Sequence, residues 1–486
     1  IASAYNVSAA SADNTFALSN AVAAACSIGN GKVNLPPGII KAQSIVLNCD
    51  NVSLIGKGDG SNSGAAGTVL QPINATGDFL TAGTAGTTHS RIKVKDLGII
   101  PGVARTSGAN LKVIDVNSFY LDNVFIYGGY DCAVIDNTPA ENRTYAIYFN
   151  NFNFSTCTNT GIQIGVSGTA VYYPQDVFLT NGQLNQGGVG LSVRGVGGLT
   201  AYAIDAVGNV SGLSVAPGAG QAALHARFYD YKSDTSSGVG CNFAGAGKIA
   251  NFELTNLWCS SSSGDYNLAI SGSAIDGLRF IGGTIINGQK TGVGLLSGEN
   301  VEFDGMSVCY NSQSSLGTYH GVYIGSAIGK HAIRHSLIGR CGTFALDGLT
   351  NKQGYGIFED ATSGDSSITD NDLDGNATGA FFSAATGNII RWGNLPITVA
   401  NVAPNPTLFS NRVKIKDQGA CTMVAGACPA QALSGTYTLA PVCNVTWTGD
   451  GALAGAIKVA ATTTTVTPSS SNAADTAVVN WACLGN

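Results

Sequence analysis

The residues best placed to do chemistry are three carboxylates and an arginine in the middle of the chain: Glu253, Arg279, Glu302 and Asp304. Charge is scarce around them, since Lys, Arg, Asp and Glu make up only 11% of the 486 residues, against about 25% in ordinary globular domains. If Glu253, Arg279 and Glu302 occupy one position in successive turns of a stacked structure, the two glutamates stand about 9.6 Å apart at Cα, two strand spacings. Inverting glycosidases hold their carboxyl groups about 6.5 to 9.5 Å apart, which leaves room for the attacking water. Asp304 falls on the same face two residues on, and like-charge repulsion there favours keeping a proton on one of the pair. The expectation is Glu302 as general acid, with Asp304 or Glu253 activating water. Arg279, between the glutamates, would instead keep them ionised or bind an acidic sugar.

Such a stack is written in the sequence as a repeated octet. It starts at Ile92, Phe119, Ile147, Val177, Phe252, Leu278, Val301 and Ile333, with most neighbouring copies 23 to 32 residues apart. Its first and third places are apolar, its second polar or aromatic, and its fourth and fifth rich in Asp, Asn, Thr and Gly, the pattern of a short strand entering a bend. A period of this length without helical segments is that of a β-solenoid. The gap between Val177 and Phe252 holds two more coils, placed at Ala201-Tyr202 and Leu224-His225. The second place then reads Lys93, Tyr120, Tyr148, Phe178, Tyr202, His225, Glu253, Arg279, Glu302 and Arg334: an aromatic stripe running into a charged one. Sugars pack apolar C–H faces on rings, and charged groups hold their hydroxyls and carboxylates, so the file suits a polysaccharide groove. Ordinary stacking explains it equally well, at roughly 0.2 to 1 kcal/mol per cross-strand pair.

Two other chemistries use the same face. A lyase performing β-elimination beside a uronic acid needs a base and a partner for the carboxylate, for which Arg279, Arg334, His225 and His335 are candidates. A non-catalytic adhesin would grip glycan there without cutting it. No cofactor is expected; the string Asp370-Asn-Asp372-Leu-Asp374-Gly matches half of an EF-hand loop, but Phe381 stands where a bidentate Glu belongs, so it reads as a solvated turn with calcium as the alternative. The cluster His331, Arg334, His335 and the pair His320, Tyr323 would shape the groove's end. The string Phe228-Tyr-Asp-Tyr-Lys-Ser-Asp234 reads as a substrate loop or a bulge over a coil corner.

The positioning elements follow from composition. With 65 Gly and abundant Asn, the chain has the residues that tolerate positive φ at the bends of a solenoid. One helix, about residues 13–27, carries Phe16, Leu18, Ala21, Val22 and Ala25 on its apolar side and would cap the open first coil. The run Ala12-Asp-Asn-Thr-Phe, then Gly29-Asn-Gly-Lys-Val-Asn-Leu-Pro-Pro-Gly, then Val52-Ser-Leu-Ile-Gly-Lys-Gly resembles the opening of the pectate lyase-like superfamily of right-handed parallel β-helices. The resemblance extends over residues from about 10 to 400. It implies an all-β, single-stranded right-handed parallel β-helix of about 11–13 coils, most like phage tailspikes and exopolysaccharide depolymerases, and a homotrimer. The pectate lyase signatures that would set Ca²⁺ ligands beside an Arg are not found.

Twelve cysteines fall in neighbouring couples: Cys26 with Cys49, Cys132 with Cys157, Cys241 with Cys259, Cys309 with Cys341, Cys421 with Cys428, and Cys443 with Cys483. Most couples are about one coil apart, a spacing wrong for zinc and suited to disulfides in an oxidising compartment; buried free thiols in a cytosolic protein are the alternative, and the spacing leaves the pairing order open. The chain opens at Ile1 rather than Met and reads as a mature or trimmed form, secreted or on a virion surface. No run of 18 apolar residues is present to span a membrane, and a net charge of -6 without a basic stripe speaks against nucleic acid as a partner. The domain plan is a β-helix over 1–399, a linker over 400–417 and a small β domain over 418–486 for trimerisation, capping or carbohydrate binding. The polysaccharide depolymerase, an endo-acting glycoside hydrolase, is the leading reading.

Overall fold

The computed structural model describes residues 2–58, 67–138, 143–165, 172–341, 350–360, 364–384, 389–392, 394, 415–433, 442–447, 452–462 and 464–484. Nearly every element is a strand pairing in parallel with the strand one turn before and one turn after, which makes a parallel β-solenoid of about twelve turns. Two files of strands wind along it. One runs through strands such as Phe119–Tyr127, Tyr145–Ser155 and Gln175–Asn185, and the other through Asp131–Asp136, Thr160–Ile164 and Val189–Val193.

The long strands of the first file bend in the middle, and one backbone feature explains where. Counting the octet's first place as one, the fifth place has positive φ in eleven consecutive coils: Asp96, Asn123, Asn151, Asn181, Ala203, Asp230, Asn256, Gly282, Gly305, His335 and Asp370. Asn, Asp and Gly adopt this left-handed conformation at least cost, and the asparagine side chains also hydrogen-bond along the stack. Asn123 Nδ2 donates to Asp96 Oδ1 at 3.0 Å, and Asn151 Nδ2 donates to Asn123 Oδ1 at 3.3 Å. The first and third places point inward, so Ile92, Phe119, Ile147, Val177, Leu199, Ala226, Phe252, Leu278 and Val301 form one continuous buried ladder.

The helix spans Thr15–Ser27 and buries Leu18, Ala21, Val22 and Ala25. Phe16, expected on its apolar side, is 80% exposed, because only one side of so short a helix meets the first coil. All six cysteine couples are bridged as their spacing suggested. In the solenoid their Cα atoms lie 5.6 to 6.4 Å apart, the ordinary separation of bridged cysteines.

The chain divides into two compact units, with residues 403–486 in the second. That unit holds two three-stranded antiparallel sheets, one of Ile415–Thr422, Val478–Leu484 and Val442–Trp447, the other of Gln431–Ala432, Thr465–Ser470 and Ile457–Ala461. Its first strand starts within the stretch read as linker; the rest of that stretch, 400–414, lies outside the described residues. The string from Phe228 to Asp234 is neither a loop nor a bulge. It is a regular rung, Ala226–Asp234, in which Phe228 and Tyr231 are buried and Tyr231 Oη donates to Gly212 O at 2.8 Å. Among the described residues no helix is long and apolar enough to cross a membrane.

Candidate glycan groove

Register decides which side chains share the outward file. Lys93, Tyr120, Tyr148 and Phe178 align coil by coil as expected, and so do Glu253, Arg279 and Glu302. Between them stand Thr200 and Arg227, not Tyr202 and His225. Tyr202 sits in the fourth-place file between Thr180 and Tyr229, and His225 immediately precedes the first place of its coil with φ 54°. Arg334 moves as well: it aligns with Asp304, and Ala332 continues the file beyond Glu302. All three corrections are slips of two residues. An even slip keeps every side chain on its correct face, so the alternation of apolar and polar residues cannot detect it.

The aromatic part of the file closes on itself. Tyr120 and Tyr148 stack with centroids 4.9 Å apart and planes 6° apart, Tyr148 and Phe178 stack at the same distance and angle, and Lys93 Nζ lies 5.4 Å from the centre of Tyr120. Both faces of Tyr120 and of Tyr148 are therefore taken by neighbours. Phe178 ends the ladder, because the next residue in the file is the short Thr200. Its far side lines a cavity of about 330 Å³ together with Asp176, Gly197, Thr200, His225 and Arg227. A second cavity of about 330 Å³ continues past Arg227 and Asn251, which line both, to Glu253, Arg279 and Glu302.

The charged part is a chain of alternating sign. Arg279 Nη1 lies 4.0 Å from Glu253 Oε2, and Arg279 Nε lies 3.5 Å from Glu302 Oε2. The other oxygen of Glu302 accepts a hydrogen bond from Arg334 Nη2. Arg334 Nε then lies 3.6 Å from Asp304 Oδ2, and Asp304 Oδ1 pairs with His335 Nδ1 at 2.9 Å. The hydrogen bond to Glu302 is the main cause of an Arg334 guanidinium that holds its proton more tightly than usual. Glu302 thus spends both oxygens on guanidiniums, which is the bonding of an ionised carboxylate and not of a proton donor. Glu253 has the single 4.0 Å approach to Arg279 and lies on the cavity wall.

Other expected groups go elsewhere. His331 is buried in the solenoid interior, its Nε2 lying 3.9 Å from Oε1 of the equally buried Glu359. His320 and Tyr323 join Phe358 in a ring cluster on the second strand file, where burial pushes the His320 imidazole below its usual value. Asp370 occupies a left-handed bend, Asp372 Oδ1 accepts from the Asp374 amide at 3.0 Å, and Leu373 between them points into the core. Among the described residues no group of three His, Cys, Asp or Glu side chains converges on a position that could hold a metal.

Sequence reasoning missed Arg227, Thr200, Asp176 and Asn251. One signal was available: placing Asp230 in the fifth place sets Ala226 in the first and puts Arg227 in the file.

No family model and no curated protein matches the sequence. Among solved structures the chain is similar to the tailspike protein of Escherichia coli bacteriophage HK620, with 10% identity, a TM-score of 0.55, and coverage of 98% of this chain and 90% of that one. The chain has the parallel β-helix fold of such proteins. The A-module of the mannuronan C-5 epimerase AlgE6 of Azotobacter vinelandii matches over 81% of this chain and 98% of its own, at 12% identity and a TM-score of 0.49. Tailspike protein 3 of bacteriophage CBA120 matches over 86% of this chain and 65% of its own, at 14% identity and a TM-score of 0.42. At such identities the likeness concerns the fold, and the function has to be argued from the groove.

Proposed function

We propose that this protein is a polysaccharide depolymerase that hydrolyses a bacterial exopolysaccharide or capsule in the groove along the outward file, at the cell exterior or on a virion surface. The observation that carries the reading is the pair of contiguous cavities joined at Arg227 and Asn251, with one aromatic ring at one end and two carboxylates two coils apart at the other. The HK620 tailspike, which shares the fold, was solved in complex with a pentasaccharide, and this is consistent with a long sugar-binding face.

The contacts redistribute the expected roles. Glu302, held by Arg279 and Arg334, suits the carboxylate that orients and deprotonates the attacking water. Glu253, lightly held and facing the cavity, suits the acid that protonates the leaving oxygen. Their two-coil separation of about 9.6 Å at Cα favours the inverting geometry. Asp304 keeps Arg334 in place and is a positioning residue. Assembly as a homotrimer belongs to the same proposal and is checked by light scattering of the purified protein.

The test is incubation with a panel of bacterial capsules and exopolysaccharides, following reducing ends and ultraviolet absorbance together. Reducing ends without a new chromophore, lost in Glu253→Gln and Glu302→Gln, are the expected result. A rising chromophore would replace hydrolysis by β-elimination and transfer the base role to His225 or an arginine. Tight glycan binding with neither signal would make the protein an adhesin.

A further inference from the structure

The geometry points to a subsite for a uronic acid residue at the junction of the two cavities, with the sugar ring on Phe178 and its carboxylate on Arg227. This rests on reading the groove as a glycan site and adds the class of sugar that the groove selects.

Arg227 differs from the other arginines of the groove. Arg279 and Arg334 are both engaged with carboxylates. Arg227 is exposed, and among the described residues it has no ion-pair partner, although Glu253 follows it directly in the file. The Glu253 carboxylate approaches Arg279 on its other side, so the alternating chain of charges ends with one guanidinium left over. That guanidinium lines both cavities. A planar fork of N–H donors in a cleft matches a carboxylate through two parallel hydrogen bonds, a geometry that a neutral hydroxyl does not satisfy.

Phe178 supplies the second half of the subsite. It is the one ring of the aromatic ladder whose outer side borders the cavity, and Thr200 and Gly197 leave the space beyond it open. Glycine also fits position 197 itself, since a Cβ there would come within 2.8 Å of the Gln175 side chain. From Phe178 through Thr200 to Arg227 is two rungs, about 9.6 Å at Cα, and the long Arg side chain can reach back across part of that distance. Asp176 is the single carboxylate lining the first cavity and stands in the coil of Phe178, two coils from Arg227. It can accept hydrogen bonds from hydroxyls of the stacked sugar while the anionic substituent lies at the arginine end.

The test is calorimetric titration of the intact protein with glucuronate-, galacturonate- and mannuronate-containing hexasaccharides. The same oligomers with carboxylates reduced to hydroxymethyl groups, and neutral glucose hexasaccharides, complete the set. At least one uronate is expected to bind, and its reduced form to bind roughly 10- to 100-fold more weakly, the loss of a charge-assisted hydrogen-bonded pair. Arg227→Gln is expected to weaken the uronate by the same factor and leave its reduced form unaffected, with Arg227→Lys intermediate. Phe178→Ala is expected to weaken both forms alike. Thermal unfolding of each variant separates these effects from loss of fold. Neutral or reduced oligomers binding as well as uronates, or Arg227→Gln weakening native and reduced forms equally, would overturn the uronate subsite while leaving the glycan groove standing. Failure of every oligomer to bind would overturn both.

Discussion

The outward face carries two ladders on the same backbone, and they differ in where their side chains spend their contacts. From Lys93 to Phe178 each group stacks on the next, and only the last ring is left with a side toward the cavity. From Glu253 to Asp304 the charges pair along the chain, and Arg227 is left over at the end that faces the same cavity. An unbroken stack of like or complementary groups stabilises a solenoid; its ends are where a ligand can compete. Thr200, the one short residue between the two ladders, is what creates two such ends side by side.

The largest expected effect comes from breaking the charged ladder at its centre. Glu302→Gln is expected to lower kcat on a cleaved polysaccharide by about 10²- to 10⁴-fold, the range for losing general acid–base assistance. Unfolding temperature should change little, since Glu302 pairs at the surface with arginines that are 40% and 46% exposed, and surface ion pairs are worth about 0 to 1 kcal/mol. An unchanged rate would remove Glu302 from the mechanism.

The aromatic ladder should show a crossed pattern. Tyr148→Ala removes two stacked pairs and Phe178→Ala one, at about 0.5 to 1.5 kcal/mol per pair beyond the buried area. Denaturant titration is therefore expected to show Tyr148→Ala as the more destabilised variant, while Phe178→Ala has the larger rise in KM. Equal KM effects would mean that the whole stripe, and not its end, meets the sugar.

A smaller gain is expected at the bends. Ala203 and His335 take a left-handed conformation that other coils assign to Asn, Asp or Gly, at roughly 1 to 2 kcal/mol for an ordinary L-residue. Ala203→Asn is thus expected to stabilise the protein by about 1 kcal/mol. Denaturant titration checks this; a loss of stability would show that the Ala203 bend is held by packing alone.

The smallest effect contrasts the surface ladder with a carboxylate buried on the second strand file. Burial pushes the Asp131 carboxyl above its ordinary value, and hydrogen bonds from Thr160 and Asn159 only partly offset it. In the unfolded chain Asp131 loses its proton first. Its contribution is therefore fully present below the ordinary carboxylate value and is lost as pH rises through the raised folded one. Asp131→Asn is expected to flatten the change of Tm as pH rises above the ordinary carboxylate value of about 4, and an identical slope in both proteins would contradict the burial argument.

Much of this molecule was legible before folding was considered. The octet beginning at Ile92, Phe119, Ile147, Val177, Phe252, Leu278 and Val301 carries both apolar alternation and an Asn, Asp or Gly at the bend, and there the aligned register matches. Two of the three misplaced coils are those whose bends use Ala203 and His335. In the third the apolar Leu224 displaced the small Ala226 as the apparent start, despite Asp230. Cysteine spacing was similarly informative, because the four solenoid disulfides join residues 18 to 32 apart, about one coil of chain.

By itself, then, the sequence determined the stacked architecture, the inward and outward faces and the Glu253, Arg279, Glu302 series, and it suggested the disulfide couples. These depend on local alternation and on residue types that suit a bend, which any single coil expresses. Only the tertiary structure decided that Arg227 and Thr200 fill the gap in the file, that Arg334 reaches Glu302 from another file, and that Phe178 and Arg227 face one cavity. Those facts depend on register between coils. Because a slip of two residues buries the same faces, packing against the neighbouring rungs and the bend conformation together, not alternation, select it.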